Sequence, residues 1–169
     1  MAREEYLFKI SFAGKLNGDL VDIHADTRFD KQYYYSGIPL INTKQIQVDD
    51  QSIKLVLAAF PPNLQQGQLN NFRSSSAIIF CFDKSDSESF LFAQQLFSLY
   101  REKYPNRSIP NALISVITND KETISTEEGK QAAAKLNMMY YEMNLSDKQK
   151  MHRIFVDLVQ SFFGEKGKI

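Results

Sequence analysis

Ala77-Ile78-Ile79-Phe80-Cys81-Phe82-Asp83-Lys84-Ser85-Asp86-Ser87-Glu88-Ser89-Phe90 passes from one kind of structure to another within a few residues. Its opening, Ala77 to Phe82, is apolar without interruption and reads as a strand. Ser85 and, three positions on, Glu88 form a capping-box pattern, which predicts a long helix ending before Pro105. A strand feeding a helix in this way is half of the unit from which parallel sheets are built.

The rest of the chain repeats the alternation. Tyr6 to Phe12 suits a buried strand, Gly14 and Gly18 punctuate the turn after it, and a weak helix is expected near Leu20 to Ala25. Gln45 to Val48 and Ile53 to Leu57 flank Asp49-Asp50-Gln51-Ser52 and read as two antiparallel strands joined by a tight turn. Pro61-Pro62 ends the second of them, and the Gln- and Asn-rich stretch from Asn63 to Asn71 carries so few apolar residues that a mobile loop with one helical turn is expected. Ala112 to Ile117 gives another strand. Ser125 and Glu128 repeat the capping signal, Met138 to Met143 makes a last strand, and Met151, Ile154, Phe155, Leu158 and Phe162 recur at helical spacing. The fold expected is a three-layer α/β domain spanning residues 1–169, with about six strands, mostly parallel, and one antiparallel hairpin strand.

Composition narrows the function classes. At 169 residues and 43% hydrophobic, the chain can bury one sizeable core. Lys plus Arg and Asp plus Glu are 20 each, so no net charge recruits nucleic acid or an acidic membrane. The lone Cys81 lies in an apolar strand and suits a reducing, cytoplasmic setting. Met1 to Ile10 does not read as a signal peptide, and no apolar run reaches membrane-spanning length. The final residues, Phe162 to Ile169, hold no cysteine to prenylate, and Ala2 excludes myristoylation, so neither lipid anchor nor membrane insertion is expected.

Several stretches, in order and at nearly matching spacing, resemble the Rab branch of the Ras-like small GTPases. Glu5-Tyr6-Leu7-Phe8-Lys9-Ile10 is similar to the opening strand of that family and Asp49 to Leu57 to its hairpin. Phe72-Arg73 is similar to its approach to the fourth strand, and Ala77 to Phe90 to the fourth strand and third helix. Ile124-Ser125-Thr126-Glu127-Glu128-Gly129 is similar to the start of the fourth helix. The resemblance implies the P-loop small-GTPase fold.

The family's phosphate loop, G-x-x-x-x-G-K-[ST], uses backbone N–H groups, a lysine and a hydroxyl to hold phosphates and magnesium. Counted from Gly14, its last three positions become Asp19-Leu20-Val21, or Gly18-Asp19-Leu20 with a one-residue gap. A third register makes Gly14-Lys15 the Gly-Lys pair, with Lys9 as first glycine and Leu16 in place of the hydroxyl, and sets the lysine one residue past the strand. The family's D-x-x-G and following Gln read here Ala59-Phe60-Pro61-Pro62-Asn63, in which Pro62 has no N–H to offer a phosphate. The threonine of the first switch best matches Ser36. N-K-x-D appears as Asn119-Asp120-Lys121-Glu122, and S-A-K as Asn144-Leu145-Ser146.

No other constellation carries chemistry. His24 and His152 lie on different predicted helices without ligand-spaced partners and read as surface residues, so no metal site is expected. No nucleophile signature appears, and Ser74-Ser75-Ser76 reads as a loop before a strand. On the long helix, Phe90, Ala93, Phe97 and Tyr100 make the stripe expected to face the sheet, while Leu91, Phe92, Leu96 and Leu99 spread over neighbouring faces. Phe92, Leu96 and Leu99 are therefore candidate partner-binding residues. So are Tyr33, Tyr34, Tyr35 and Phe60, at the former switches, where the family binds its effectors.

The expectation is a protein that is not an enzyme: a catalytically inactive Rab-like pseudo-GTPase, without cofactor, serving as a scaffold among protein subunits of a larger assembly. Family analogy suggests a cytoskeletal or ciliary complex. The alternative is an atypical binder of GTP or GDP with negligible hydrolysis, holding the nucleotide with Gly14, Asn119 and Glu122.

Overall fold

A computed structural model describes residues 5–26, 39–60 and 66–166. The elements are β1 (Tyr6–Gly14), α1 (Asn17–His24), β2 (Leu40–Val48), β3 (Gln51–Ala59), a 3-10 helix (Gln66–Ser74), β4 (Ala77–Asp83), α2 (Ser87–Lys103), β5 (Asn111–Ile117), α3 (Thr126–Lys135), β6 (Met139–Asn144) and α4 (Lys148–Lys166). The six strands form one sheet in the order β2-β3-β1-β4-β5-β6. Only β2 runs antiparallel to its neighbour, and every other pair is parallel, as the alternation of strands and helices requires.

Two cores lie on the two faces of this sheet. Phe8, Ile10 and Phe12 of β1 and Ile53, Leu55 and Leu57 of β3 point to one face, where Leu20 and Val21 of α1 and Met151, Ile154, Phe155 and Leu158 of α4 cover them. Ile78, Phe80 and Phe82 of β4 point to the other, under Ala93, Leu96, Phe97 and Tyr100 of α2, with Leu69, Phe72 and Ala133. Buried on both faces, β4 has no polar side to show before Asp83, which is why its sequence is apolar at successive positions.

Local chemistry sets the joints. Asp49 and Asp50 both take positive φ, 50° and 64°, so that a two-residue turn closes the β2–β3 hairpin with the twist that antiparallel strands prefer. The strands extend further than the sequence pattern indicates, to Leu40 and Ala59, because the register continues to the Leu40–Ala59 pair. Ser125 caps α3, its hydroxyl accepting from the Glu128 N–H at 3.1 Å. For α2 the cap is Asp86, which accepts from the Glu88 N–H at 3.1 Å; Ser85, expected there, is drawn back toward Asp83. Of the stretch from Asn63 to Asn71, read from sequence as a mobile loop with one helical turn, the described residues belong to the 3-10 helix Gln66–Ser74, which Leu69 and Phe72 anchor in the core beside α2.

Three readings of surface residues are corrected here. Leu96 is 2% exposed and belongs to the sheet-facing stripe of α2, while Phe92 and Leu99 are half-buried against the same core. Phe60 is 3% exposed and stacks edge-on against Phe72 with ring centroids 5.1 Å apart, so it is a core residue and no surface anchor. His24 is buried in α1, held by a hydrogen bond to the Leu145 carbonyl at 2.8 Å. Tyr33, Tyr34 and Tyr35 lie outside the described residues, as do Ser36, Pro61, Pro62 and Asn63.

Candidate functional site

Connections diverge at the carboxyl ends of β1 and β3, one leading through α1 and the other toward β4, and in open α/β sheets ligands bind at such a divergence. Here the connection from β1 to α1 is Lys15-Leu16 alone, with Leu16 in the left-handed region at φ 71°. Gly14, at φ +103°, lies so close to β4 that a Cβ would stand 2.1 Å from the Cys81 carbonyl oxygen. Its role is close approach of two strands as much as conformational freedom.

Asn17 fills the crevice. Its Nδ2 donates to the Phe12 carbonyl at 3.1 Å and the Phe60 carbonyl at 2.7 Å, joining the ends of β1 and β3, and its Oδ1 accepts from the Gly18 N–H at 2.7 Å. The Leu20 N–H is taken by the Leu16 carbonyl. Asn17 and Gly18 are both buried. At the start of α1, where a family phosphate loop presents N–H groups to its ligand, the Gly18 and Leu20 N–H groups are thus taken by the chain's own atoms. Asp19 and Leu20, the residues of the first two registers, fall inside the first turn of α1. Lys15, the lysine of the third register, lies directly past β1.

Lys15 crosses to the start of α2. Its Nζ donates to Asp86 Oδ2 at 2.7 Å and lies 4.0 Å from Asp83 Oδ2. The hydrogen bond it donates to Asp86, with the nearby carboxylates, raises its ammonium pKa against the opposing effect of burial. Asp83 is nearly buried; desolvation pushes its carboxyl up, but hydrogen bonds from the Ser85 hydroxyl and N–H and from Thr118 prevail and hold it below the usual carboxylate range. Asn119 joins this group, its Nδ2 donating to Ser85 Oγ and Thr118 Oγ1, both at 3.2 Å, while its Oδ1 accepts from the Lys121 N–H at 2.7 Å.

Lys84 organises the adjoining corner. It is 7% exposed, and its Nζ meets Glu122 Oε1 at 2.7 Å, Glu142 Oε1 at 2.8 Å and Thr126 Oγ1 at 2.9 Å. Burial pushes the Glu142 carboxyl up, yet bonds from Lys84, Tyr140 and Thr126 bring it below its ordinary value. Glu122, the candidate reader of a guanine base, thus already has a cation against it, and Asn119 spends its oxygen on its own turn. Gly14, Asn119 and Glu122 do lie along one edge of the sheet, linked through Lys15, Asp83 and Ser85.

In this arrangement the Gly18 and Leu20 amides, the Asn119 oxygen and the Glu122 carboxylate, groups that the motifs would turn toward a guanine nucleotide, make internal bonds. Among the described residues no cluster of three His, Cys, Asp or Glu could hold a metal, and no helix is long and apolar enough to cross a membrane. Sequence reasoning missed Asn17 and Lys84. Asn17 is the first residue of α1, not its cap, and its reach to the end of β3 depends on the sheet order, which no local signal shows.

The Ras family model matches residues 13–163 of the chain. The Ras-related protein RabQ of Dictyostelium discoideum is 27% identical over 120 residues, 67% of this chain and 57% of that protein, so the match takes in little more than half of the relative's length. Both findings point to GTPases, and they overturn the expectation, drawn from the altered motifs, that the chain is not an enzyme.

Proposed function

The chain belongs to the Ras family of small GTPases, and from that premise we propose that it works as an interaction subunit of a protein assembly, its carboxyl-edge loops held by its own side chains and not by a bound guanine nucleotide. The observation that carries this reading is the Asn17 amide, which links Phe12 of β1 to Phe60 just past β3 in the crevice where the sheet's connections part. Lys15 and Lys84 add two more internal ties along the same edge. A surface fixed in this way presents one conformation to a partner, whereas a nucleotide-timed switch alternates between two.

The contact surface we assign is the outer face of α2. Leu91 is 59% exposed there, and with Gln94, Gln95, Ser98, Leu99 and Glu102 it lines an open hollow. An exposed leucine beside a half-buried one, rimmed by amides and a carboxylate, has the make-up of an interface with an apolar centre and polar rim.

The test is to strip the purified protein with chelator, chromatograph what it releases, and compare melting with and without GTP and magnesium. A ligand at about 100 times its Kd adds about 2.7 kcal/mol, worth about 5 to 10 °C in a domain of this size. The expected result is an unchanged melting temperature, and partner recovery that is equal in GTP, GDP and chelator but lost in Leu91→Asp. Stoichiometric GTP or GDP, with a melting temperature that drops on stripping, would replace this reading with that of a guanine-nucleotide-held protein.

A further inference from the structure

The amino edge of the sheet, opposite the site just described, carries a second concave surface. A hollow of about 460 Å3 opens between the end of α2, the α2–β5 connection and the end of α3, a volume within the range of small-molecule sites. Arg101, Arg107, Asn111 and Asn137 line it together with Phe97 and Met138, and no carboxylate does.

Both arginines are oriented by main-chain carbonyls. The Arg107 guanidinium donates to the Phe72 and Ser75 carbonyls, and Arg101 Nη1 donates to the Arg107 carbonyl at 3.2 Å. Neither has an ion-pair partner among the described residues. A guanidinium has five N–H donors, so each keeps several for a further acceptor. The charge of Arg107 is felt nearby: the Lys9 ammonium pKa is lowered, first by burial and then by that charge. Asn111, at the start of β5, is 9% exposed, and its side-chain amide makes no hydrogen bond to the described residues, its Oδ1 being shut away without a partner. That oxygen can only accept and is closed off from the hollow; the Nδ2 of the same amide is not shut away, and it is the side that can donate to an occupant.

The ends of α2 and α3 also face this region, and helix carboxyl termini disfavour anions. Arg101 and Lys103 in the last turn of α2 and Lys135 in that of α3 offset this. The balance of fixed charge in the hollow itself is two cations and no anion.

We propose that this hollow binds a small organic phosphate monoester. Its several oxygens accept from the Arg101 and Arg107 guanidiniums and the Asn111 amide, and its apolar part rests on Phe97 and Met138. A phosphate suits the pair because it accepts several charge-assisted hydrogen bonds at once, which planar guanidiniums are shaped to donate. The ester can be a soluble metabolite or a lipid headgroup, since the recognising chemistry is the same.

The experiment titrates the full 15N-labelled chain with glycerol 3-phosphate and, in a second arm, sediments it with phosphatidylcholine vesicles with and without phosphatidylinositol 4-phosphate. Amide shifts are expected at Arg101, Asn111 and Asn137. Arg101→Gln, a change at an exposed position, should weaken binding roughly tenfold or more, the loss of one charge-assisted hydrogen bond. Asn111→Leu is the second variant and should weaken it independently. Shifts without sedimentation identify a soluble ester, and sedimentation abolished by Arg101→Gln identifies a headgroup. Absence of both responses at millimolar ligand, or responses that Arg101→Gln leaves intact, would overturn the proposal.

Discussion

The Asn17 amide and the Phe60 carbonyl meet at 2.7 Å, tying the first residue of α1 to the chain just past β3. The same nitrogen reaches the Phe12 carbonyl, and the Oδ1 of the same side chain accepts from the Gly18 N–H in the first turn of α1. One buried residue thus serves two strands and a helix.

Replacing Asn17 removes the donor to two carbonyls and leaves them in a site water does not reach. Asn17→Ala is expected to lower stability by about 2 kcal/mol, the cost of buried acceptors left unmade. Asn17→Asp should cost more, because a carboxylate oxygen would face those carbonyls in place of the amide N–H. Urea unfolding of the three proteins checks the order, and equal stability of Asp and Asn forms would refute it.

Gly14→Ala is expected to be among the most damaging single changes. The added methyl would collide with the Cys81 carbonyl at 2.1 Å, and φ +103° is itself strained for any side chain. Either effect costs about 1 to 3 kcal/mol, and the methyl can escape only by moving β1 away from β4. A melting curve within 2 °C of the parent would show that the strands are less closely held than the geometry states.

Lys84→Met removes the cation shared by Glu122 and Glu142. Glu122 is more than half exposed and can turn to solvent, so the loss falls mainly on the half-buried Glu142, which keeps its bonds from Tyr140 and Thr126, and about 1 to 2 kcal/mol is expected. Adding Glu142→Gln should restore part of it, and a double-mutant cycle measures how much. Because the folded-state Glu142 carboxyl titrates below its ordinary value near 4.5, the pair's contribution is present above that pH. It is lost as pH falls through the lowered value, so the parent should weaken in acid more steeply than the double variant.

His24 acts in the same direction, nearer neutral pH. Burial lowers its pKa from 6.5, and although the bond to the Leu145 carbonyl pulls the other way, Lys148 and Lys44 reinforce the lowering. The folded protein thus resists protonating a ring that the unfolded chain protonates readily. Stability is full above pH 6.5 and falls as pH drops toward the lowered value. Urea midpoints at pH 7.5 and 5.5 should differ for the parent and converge in His24→Gln, which can keep a donor to Leu145 without a titrating ring.

Much of the architecture was readable because its signals are local. Strand and helix alternation predicted the parallel sheet, Asp49-Asp50 marked the hairpin, and Ser125 capped α3 as its spacing indicated. The stretch from Asn63 to Asn71 was read as mostly loop because Gln and Asn dominate it, while Leu69 and Phe72 anchor the 3-10 helix that its described part enters. Leu96 was placed on the wrong face because Phe90 was taken into the stripe through its spacing to Ala93 and Phe97, while Leu96, after Ala93 and before Tyr100, fits helical spacing as well, and only the packing of β4 against α2 decides between them. Asn17 and Lys84 act across partners distant in the chain, Phe60 for the first and Glu122 and Glu142 for the second, which no local pattern reveals.

The strand order has a kinetic side. The β2–β3 hairpin joins neighbours in sequence and can form in about 1 to 10 μs, whereas central β1 pairs Tyr6 with Ile53 and Ile10 with Ala77. Such distant pairings are slow to close. Until β1 is seated, β3 and β4 each present a bare, apolar edge, the template on which strands from other molecules add. Refolding yield should therefore fall with protein concentration, and the seam along β1 is where this chain is most exposed to its own neighbours.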